Sequence, residues 1–169
     1  MSSEFHEIQP DQMSQNPFRL LREDWMLITA GTLAVYNTMT ASWGGFGFLW
    51  DKNVCFCVIR PQRYTYQFVD KSEYFTFSFF EEKYRHVLDF CGSKSGRHVN
   101  KAAATGITPV ENPPGAVYFA EAKLVIVGKK IYYQDLLPQH FLDPIIPRFY
   151  PKQDYHRMFI GEVIKCLSK

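Results

Sequence analysis

The stretch VCFCVIR, Val54 to Arg60, is apolar at six consecutive positions, so neither the odd nor the even residues form a polar side. Strand side chains alternate between two faces, so this run predicts a strand buried on both sides and central in its sheet. A barrel core would cover one face, and a helix or a partner subunit the other. Five further segments share the enrichment in β-branched and aromatic residues: MLITAG (26–31), LAVYNTMTAS (33–42), YFTFSFF (74–80), AVYFAEAKLVIVGKKIYY (116–133) and MFIGEVIKCL (158–167). Gly, Pro, Asp and Asn separate them, which gives about six strands.

Helical signals are short and fall between the strands. Pro61 is placed to open a helix whose core-facing stripe is Tyr64, Phe68 and Val69. A second helix is expected over Glu82 to Cys91, with Tyr84, Val87, Leu88 and Cys91 at helical spacing and Gly92 as its stop. A third begins near His98 and carries Lys101 to Ala104. The stretch from Gln134 to Asp154 holds Pro138, Pro144, Pro147 and Pro151 and reads as an irregular excursion with one helical turn. No βαβ rhythm and no Gly-rich dinucleotide turn occurs, which excludes a doubly wound nicotinamide domain. The pattern fits a mainly β (α+β) fold, a closed or partly split antiparallel barrel with short covering helices.

The bulk properties narrow the function classes. A chain of 169 residues is one domain with a substantial core, and residues 1–16 read as a polar N-terminal arm. A formal charge of +2 with interspersed signs argues against a nucleic-acid surface. The first ten residues lack the pattern of a secretory signal, and no apolar run is long enough to cross a membrane. Cysteines 55, 57, 91 and 166 form no secreted framework, so a reducing cytoplasm is expected. Cys55 and Cys57 lie on one strand face about 6.6 Å apart and read as packing thiols. No Cys or His spacing matches a metal site. The 17% aromatic content suits a large interface or a planar ligand.

Three segments carry candidate chemistry. In NTMTASWG, Asn37 to Gly44, small and hydroxyl residues let backbone groups approach a flat ligand, although a Thr-rich barrel strand would look the same. Arg60 and Arg63 bracket Pro61 at a helix start, where unpaired N–H groups attract anions; Thr65 adds a hydroxyl. As solvated surface charges the two arginines would need no ligand. In CGSKSGRHVNK, Lys94, Ser95, Gly96, Arg97 and Lys101 form a basic, glycine-containing loop that can turn N–H groups toward an anion, or can be a flexible loop and nothing more. Trp43 and Trp50 can stack on a ligand or serve core and interface.

Taken in order with IRPQRYTY (59–66), YFTFSFF and YHRMFIGEV (155–163), these segments resemble the flavin reductase-like family, the FMN-binding split barrel, from about Asn16 to Lys165. The resemblance implies a split antiparallel Greek-key barrel and a homodimer with FMN near the subunit interface. It assigns Asn37, Met39, Thr40, Ala41, Ser42 and Trp43 to the flavin ring and ribityl chain. Arg60, Arg63, Tyr64 and Thr65, with Lys94, Ser95, Gly96 and Arg97, go to the phosphate and its surroundings. It also puts a histidine, here His156, beside the flavin face, where it is the candidate nearest hydride transfer; a structural histidine is the alternative. NADH or NADPH is the implied donor, and a redox partner protein one possible acceptor. The rival readings are a flavoredoxin-like electron carrier, a flavin-binding protein without turnover, and a related barrel holding haem or a pyridoxal phosphate-type ligand.

Overall fold

The computed structural model describes residues 4–169. Ten strands are present: β1 (His6–Ile8), β2 (Met26–Thr32), β3 (Val35–Ala41), β4 (Gly44–Leu49), β5 (Lys52–Ile59), β6 (Tyr74–Phe79), β7 (Pro109–Glu111), β8 (Val117–Phe119), β9 (Leu124–Asp135) and β10 (Arg157–Ser168). Seven of them follow one antiparallel path, β3-β2-β6-β9-β10-β5-β4, with β1 added along β10; β7 and β8 pair separately. The path does not close, because β3 and β4, consecutive in the chain, form no ladder with each other.

Period-two alternation builds two cores, one on each side of the sheet. Met26 and Ile28 of β2, Phe75, Phe77 and Phe79 of β6, and Leu124 and Ile126 of β9 pack inside the barrel with Cys55, Cys57, Ile59 and Phe159. The intervening Leu27, Val125 and Val127 face outward onto Val87, Leu88, Cys91 and Phe119. So β2, β6 and β9 are the doubly covered strands. VCFCVIR in β5 has neighbours on both sides, as expected, but only its odd residues are fully enclosed; Phe56 and Val58 are half-buried. Gly161 of β10 is required by close approach: a Cβ there would meet the Phe75 ring at 2.8 Å. Next to it, Glu162 pairs with Lys52 at 2.9 Å.

Four short helical elements cover the sheet: α1 (Pro17–Arg19), which runs into a π turn at Leu20–Asp24, α2 (Tyr64–Lys71), α3 (Arg85–Ser93) and α4 (Lys101–Thr105). Several boundaries differ from the sequence expectation. Pro61 lies in a turn closed by Arg63 N–H donating to Arg60 O (3.1 Å), the usual position of proline in a β-turn, so α2 starts at Tyr64. Gly92 does not stop α3 but lies inside it, where a Cβ would press on Thr40 at 3.3 Å. Part of the expected N-terminal arm is strand β1, paired to β10; residues 1–3 of that arm lie outside the described residues. The segment 116–133 divides into β8 and β9. Strand β4 was not foreseen, because GGFGFL carries turn-like glycines and its hairpin bends through Trp50 and Asp51 at φ 53° and 59° without the usual Asn-Gly. The excursion after β9 contains two 3-10 turns, Pro138–His140 and Ile146–Phe149. All four cysteines are free and buried. Among the described residues no helix is long and apolar enough to cross a membrane.

Candidate functional site

A groove runs along β3, with a polar cavity at the Asn37 end and an aromatic one at the Trp43 end. The polar cavity, about 230 Å³, is lined by Asn37, Arg63, Tyr64, Thr65, Gly92 to Arg97 and Lys101. The aromatic cavity, also about 230 Å³, is lined by Met39 to Trp43, Val58, Arg60, Arg63 and His156. Arg63 lines both, so the two adjoin. All fifteen residues named above as candidates line one or the other.

The polar end is built by cross-links that leave donors free. Asn37 Nδ2 donates to Thr65 Oγ1 at 2.7 Å, tying β3 to the first turn of α2. The Thr65 hydroxyl proton then has no acceptor among the described residues. Gly96 packs so tightly on this asparagine that a Cβ would stand 1.9 Å from Oδ1, so only glycine lets the Ser93–Arg97 loop close on β3. Arg63 caps α2 with no side-chain bond. It is half-buried, has no carboxylate or hydrogen-bond partner among the described residues, and burial lowers its pKa. Tyr64 and Thr65 are the first two residues of the helix, where N–H groups have no acceptor within the helix.

Lys101 is the residue that the phosphate assignment omitted. The residue is 5% exposed, and its ammonium donates to Thr38 O and Cys91 O, both at 2.7 Å, joining β3 to the end of α3. Two of its three protons are so engaged, and no carboxylate neutralises it. Burial, with Arg63 nearby, lowers its pKa to about 8. Lys101 opens α4, and the sequence groups it with the basic loop of Lys94 and Arg97; only the fold brings it under β3 as a buried cation. Lys94 and Arg97 sit on the outer rim, Arg97 over the Tyr64 ring at 4.8 Å and bonded to Gln62 O at 3.4 Å. Ser95 Oγ accepts from Arg97 N–H at 3.3 Å.

At the other end the polar groups already have partners, and two expectations change. Arg60 does not stand free for a phosphate: it pairs with Asp154 at 2.8 Å, donates to Phe149 O at 2.8 Å and covers the Tyr150 ring at 5.0 Å. It anchors the excursion 136–155, which Gln62 also holds through Asp154. The Thr40 hydroxyl donates to Leu88 O and so is no free donor for a ligand. His156 is buried, with Nδ1 2.7 Å from Tyr150 Oη and its ring 5.1 Å from that of Trp43. Burial, helped by Arg60, lowers its pKa to about 4, so it is neutral at physiological pH. Trp43 also meets Phe149 edge-on at 5.6 Å. Trp50 lies apart from the groove, against Tyr132.

An anion fits the first end and a flat uncharged ring fits the second. The structure is similar to an FMN-binding domain of a flavin reductases-like enzyme from Shewanella baltica, at 18% identity and TM-score 0.71, covering 99% of this chain and 78% of that one. It is also similar to flavoredoxin from Methanosarcina acetivorans (16%, TM-score 0.70, 99% and 76%). A third likeness is to an FMN-binding protein from Thermus thermophilus with bound 1-cyclohex-2-enone (19%, TM-score 0.66, 99% and 80%). No curated protein sequence matches this chain. The model of the flavin reductase like domain matches residues 19–168, which hold strands β2 to β10, helices α2 to α4 and both ends of the groove. The chain therefore belongs to the flavin reductase-like family and has its split-barrel fold.

Proposed function

We propose that this chain binds FMN along β3 and reduces it with hydride from NADH or NADPH, as an NAD(P)H:flavin oxidoreductase. One observation carries the reading: in one of two adjoining cavities along β3 Arg63 and Lys101 are half-buried or buried without a carboxylate partner among the described residues, and the other is an aromatic pocket. FMN has that division of character, a phosphate dianion joined by a polyol to a flat ring. The phosphate would take Arg63, the third Lys101 proton, the Thr65 hydroxyl and the first N–H groups of α2. The loop Lys94, Ser95, Gly96 and Arg97 would close over it. The ring would lie against Met39, Ala41, Ser42 and Trp43, with His156 beside it.

Bound FMN would supply the two-electron chemistry. The chain's own residues hold the phosphate by charge-assisted hydrogen bonds, each worth about 1.5–3 kcal/mol, and keep water from the ring with Trp43 and Phe149. Electrons would pass to free flavin, a ferric chelate, a quinone or a redox partner protein. We place the protein in the cytoplasm, in keeping with its free thiols. We also take the working unit to be a homodimer with FMN near the interface; the exposed Phe48, Trp50 and Tyr133 favour burial against a second copy.

A second reading is favoured by one observation. Phe149 packs on Trp43 and Tyr150 on His156 at the ring end, where a stacked nicotinamide would need room. A flavoredoxin-like electron carrier needs no such room. Absorbance spectra recorded before and after anaerobic addition of NADH and then NADPH test both. Flavin bands that bleach within seconds support the reductase and identify its donor. Bands that persist favour the carrier, and a colourless protein that cannot be loaded with FMN overturns both.

A further inference from the structure

Within the ring pocket, His156 has one nitrogen fixed by the fold and the other open. Tyr150 Oη lies 2.7 Å from Nδ1. The rings of Trp43 and Tyr150 flank the imidazole at 5.1 and 5.4 Å. Among the described residues nothing hydrogen-bonds Nε2, and the residue lines the pocket. The Tyr150 contact admits two forms: Nδ1–H donating to Oη, or Oη–H donating to a bare Nδ1. These forms put the opposite tautomer, and so the opposite hydrogen-bonding sense, at Nε2.

The surroundings of the hydroxyl decide between them. Tyr150 is buried, and among the described residues its hydroxyl has no hydrogen-bond acceptor besides Nδ1. Were Nδ1 to carry the hydrogen, the hydroxyl proton would be buried without an acceptor, so the phenolic proton goes to the Nδ1 lone pair. The imidazole's single hydrogen is then on Nε2. Arg60 stands close by as a fixed cation and opposes a second positive charge, while Asp154, the one carboxylate that would favour it, is already paired with Arg60 at 2.8 Å.

We propose that Tyr150 acts as a positioning residue that fixes His156 in its Nε2–H form, so that the ring pocket presents a neutral N–H donor to the carbonyl oxygen of a planar ligand. The chemistry selects that class. A carboxylate would find Arg60 already neutralised by Asp154 and Arg63, which also reaches this end, taken by the phosphate, and an amine would set one donor against another. A ring carbonyl or carboxamide satisfies the N–H without a counter-charge. The flavin itself, a nicotinamide and a carbonyl-bearing electron acceptor all offer such an oxygen. The identity of the ligand rests on the FMN reading; the tautomer does not.

The test has a part that needs no flavin. Long-range proton–nitrogen correlation spectra of FMN-free protein carrying nitrogen-15 histidine should give His156 a protonated Nε2 and a bare Nδ1 at pH 7. A protonated Nδ1, or an imidazolium, overturns the proposal. Tyr150→Phe should turn the signal into a tautomer mixture while the circular dichroism stays unchanged; an unaltered Nε2–H form overturns the role of Tyr150. His156→Phe keeps a ring and removes the donor. It should weaken FMN Kd, NADH KM or the Kd of cyclohex-2-enone on FMN-loaded protein by about tenfold, the worth of one hydrogen bond to a buried donor. The constant that moves identifies the source of the oxygen, and all three within twofold of wild type overturns the donor role. Failure to bind FMN would end the flavin reading and leave the tautomer result standing.

Discussion

The two ends of β3 handle charge in opposite ways. Around Asn37, Arg63 has no partner among the described residues, Lys101 is satisfied only by carbonyls, and the Thr65 proton is unused. Around Trp43, Arg60 is paired with Asp154, and His156 is neutral and bonded to Tyr150. A buried cation without a counter-ion is costly, and an arriving anion relieves the cost. A completed ion pair gives a ligand nothing comparable. The first end is thus recognisable as a binding site by what it lacks, and the second as a shaped wall by what it already has.

Removing the charge that most needs a ligand gives the largest expected effect. Arg63→Ala should weaken FMN binding by about 3 kcal/mol, the upper range for a charge-assisted bond. It should leave the denaturation midpoint of the FMN-free protein unchanged or slightly raised, because an unpaired charge has gone. Fluorescence-quenching titration and urea unfolding measure the two quantities. A lower midpoint would mean that Arg63 has a structural partner and that the contrast between the ends is false. Lys94→Ala with Arg97→Ala, on the exposed rim, should cost less, about 1 kcal/mol per residue, and lose that effect in high salt.

The pH dependence of FMN affinity sharpens the same contrast. Burial lowers the Lys101 pKa to about 8 in the free protein, and a phosphate dianion against its third proton would raise it. Binding is therefore strongest below pH 8, where the ammonium is already formed, and weakens as pH rises from about 8 toward the raised value of the complex. The loss approaches tenfold per pH unit in that window. Calorimetry in two buffers of different ionisation enthalpy should detect proton uptake on binding at pH 8.5. Arg63 and the Cys91 thiol are the other ionisable groups acting on this ammonium. Neither alters the sign, since the thiol pKa is pushed up by burial to about 11 and the arginine stays charged. An affinity flat between pH 7.5 and 9.5 would remove Lys101 from the site.

How much of this was legible in the sequence follows the range of the interactions. Strands β2, β5, β6 and β10 could be read because the enrichment in β-branched and aromatic residues that marks each is local. The groove-lining residues could be read because four motifs occur in the order of a known family. What escaped depends on contacts far apart in the chain. Lys101 becomes a buried cation only when α4 packs under β3, 63 residues away. Arg60 has a local setting that suits phosphate, and its true partner, Asp154, lies 94 residues on within a Pro-rich excursion that has no periodicity to read. Strand β4 was hidden by its glycines, two of which, Gly44 and Gly45, are needed because Phe56 and its backbone come too close for a side chain.

The smallest expected effect bears on the closed end. Asp154→Asn keeps the size of the side chain and the contact to Gln62 but removes the charge that fixes Arg60, so the ring end would acquire an unpaired cation like those at Asn37. Amide exchange in 136–155 should then quicken a few-fold, since the excursion loses one of its main ties to the barrel, while the core strands β6 and β9 exchange as before. The freed guanidinium should also make the ring pocket tolerant of anions, so that benzoate, excluded from the wild type on the argument for a neutral wall, begins to compete with the flavin ring. If benzoate competes equally well with both proteins, Arg60 was never neutralised by its carboxylate, and the difference between the two ends of β3 is one of degree.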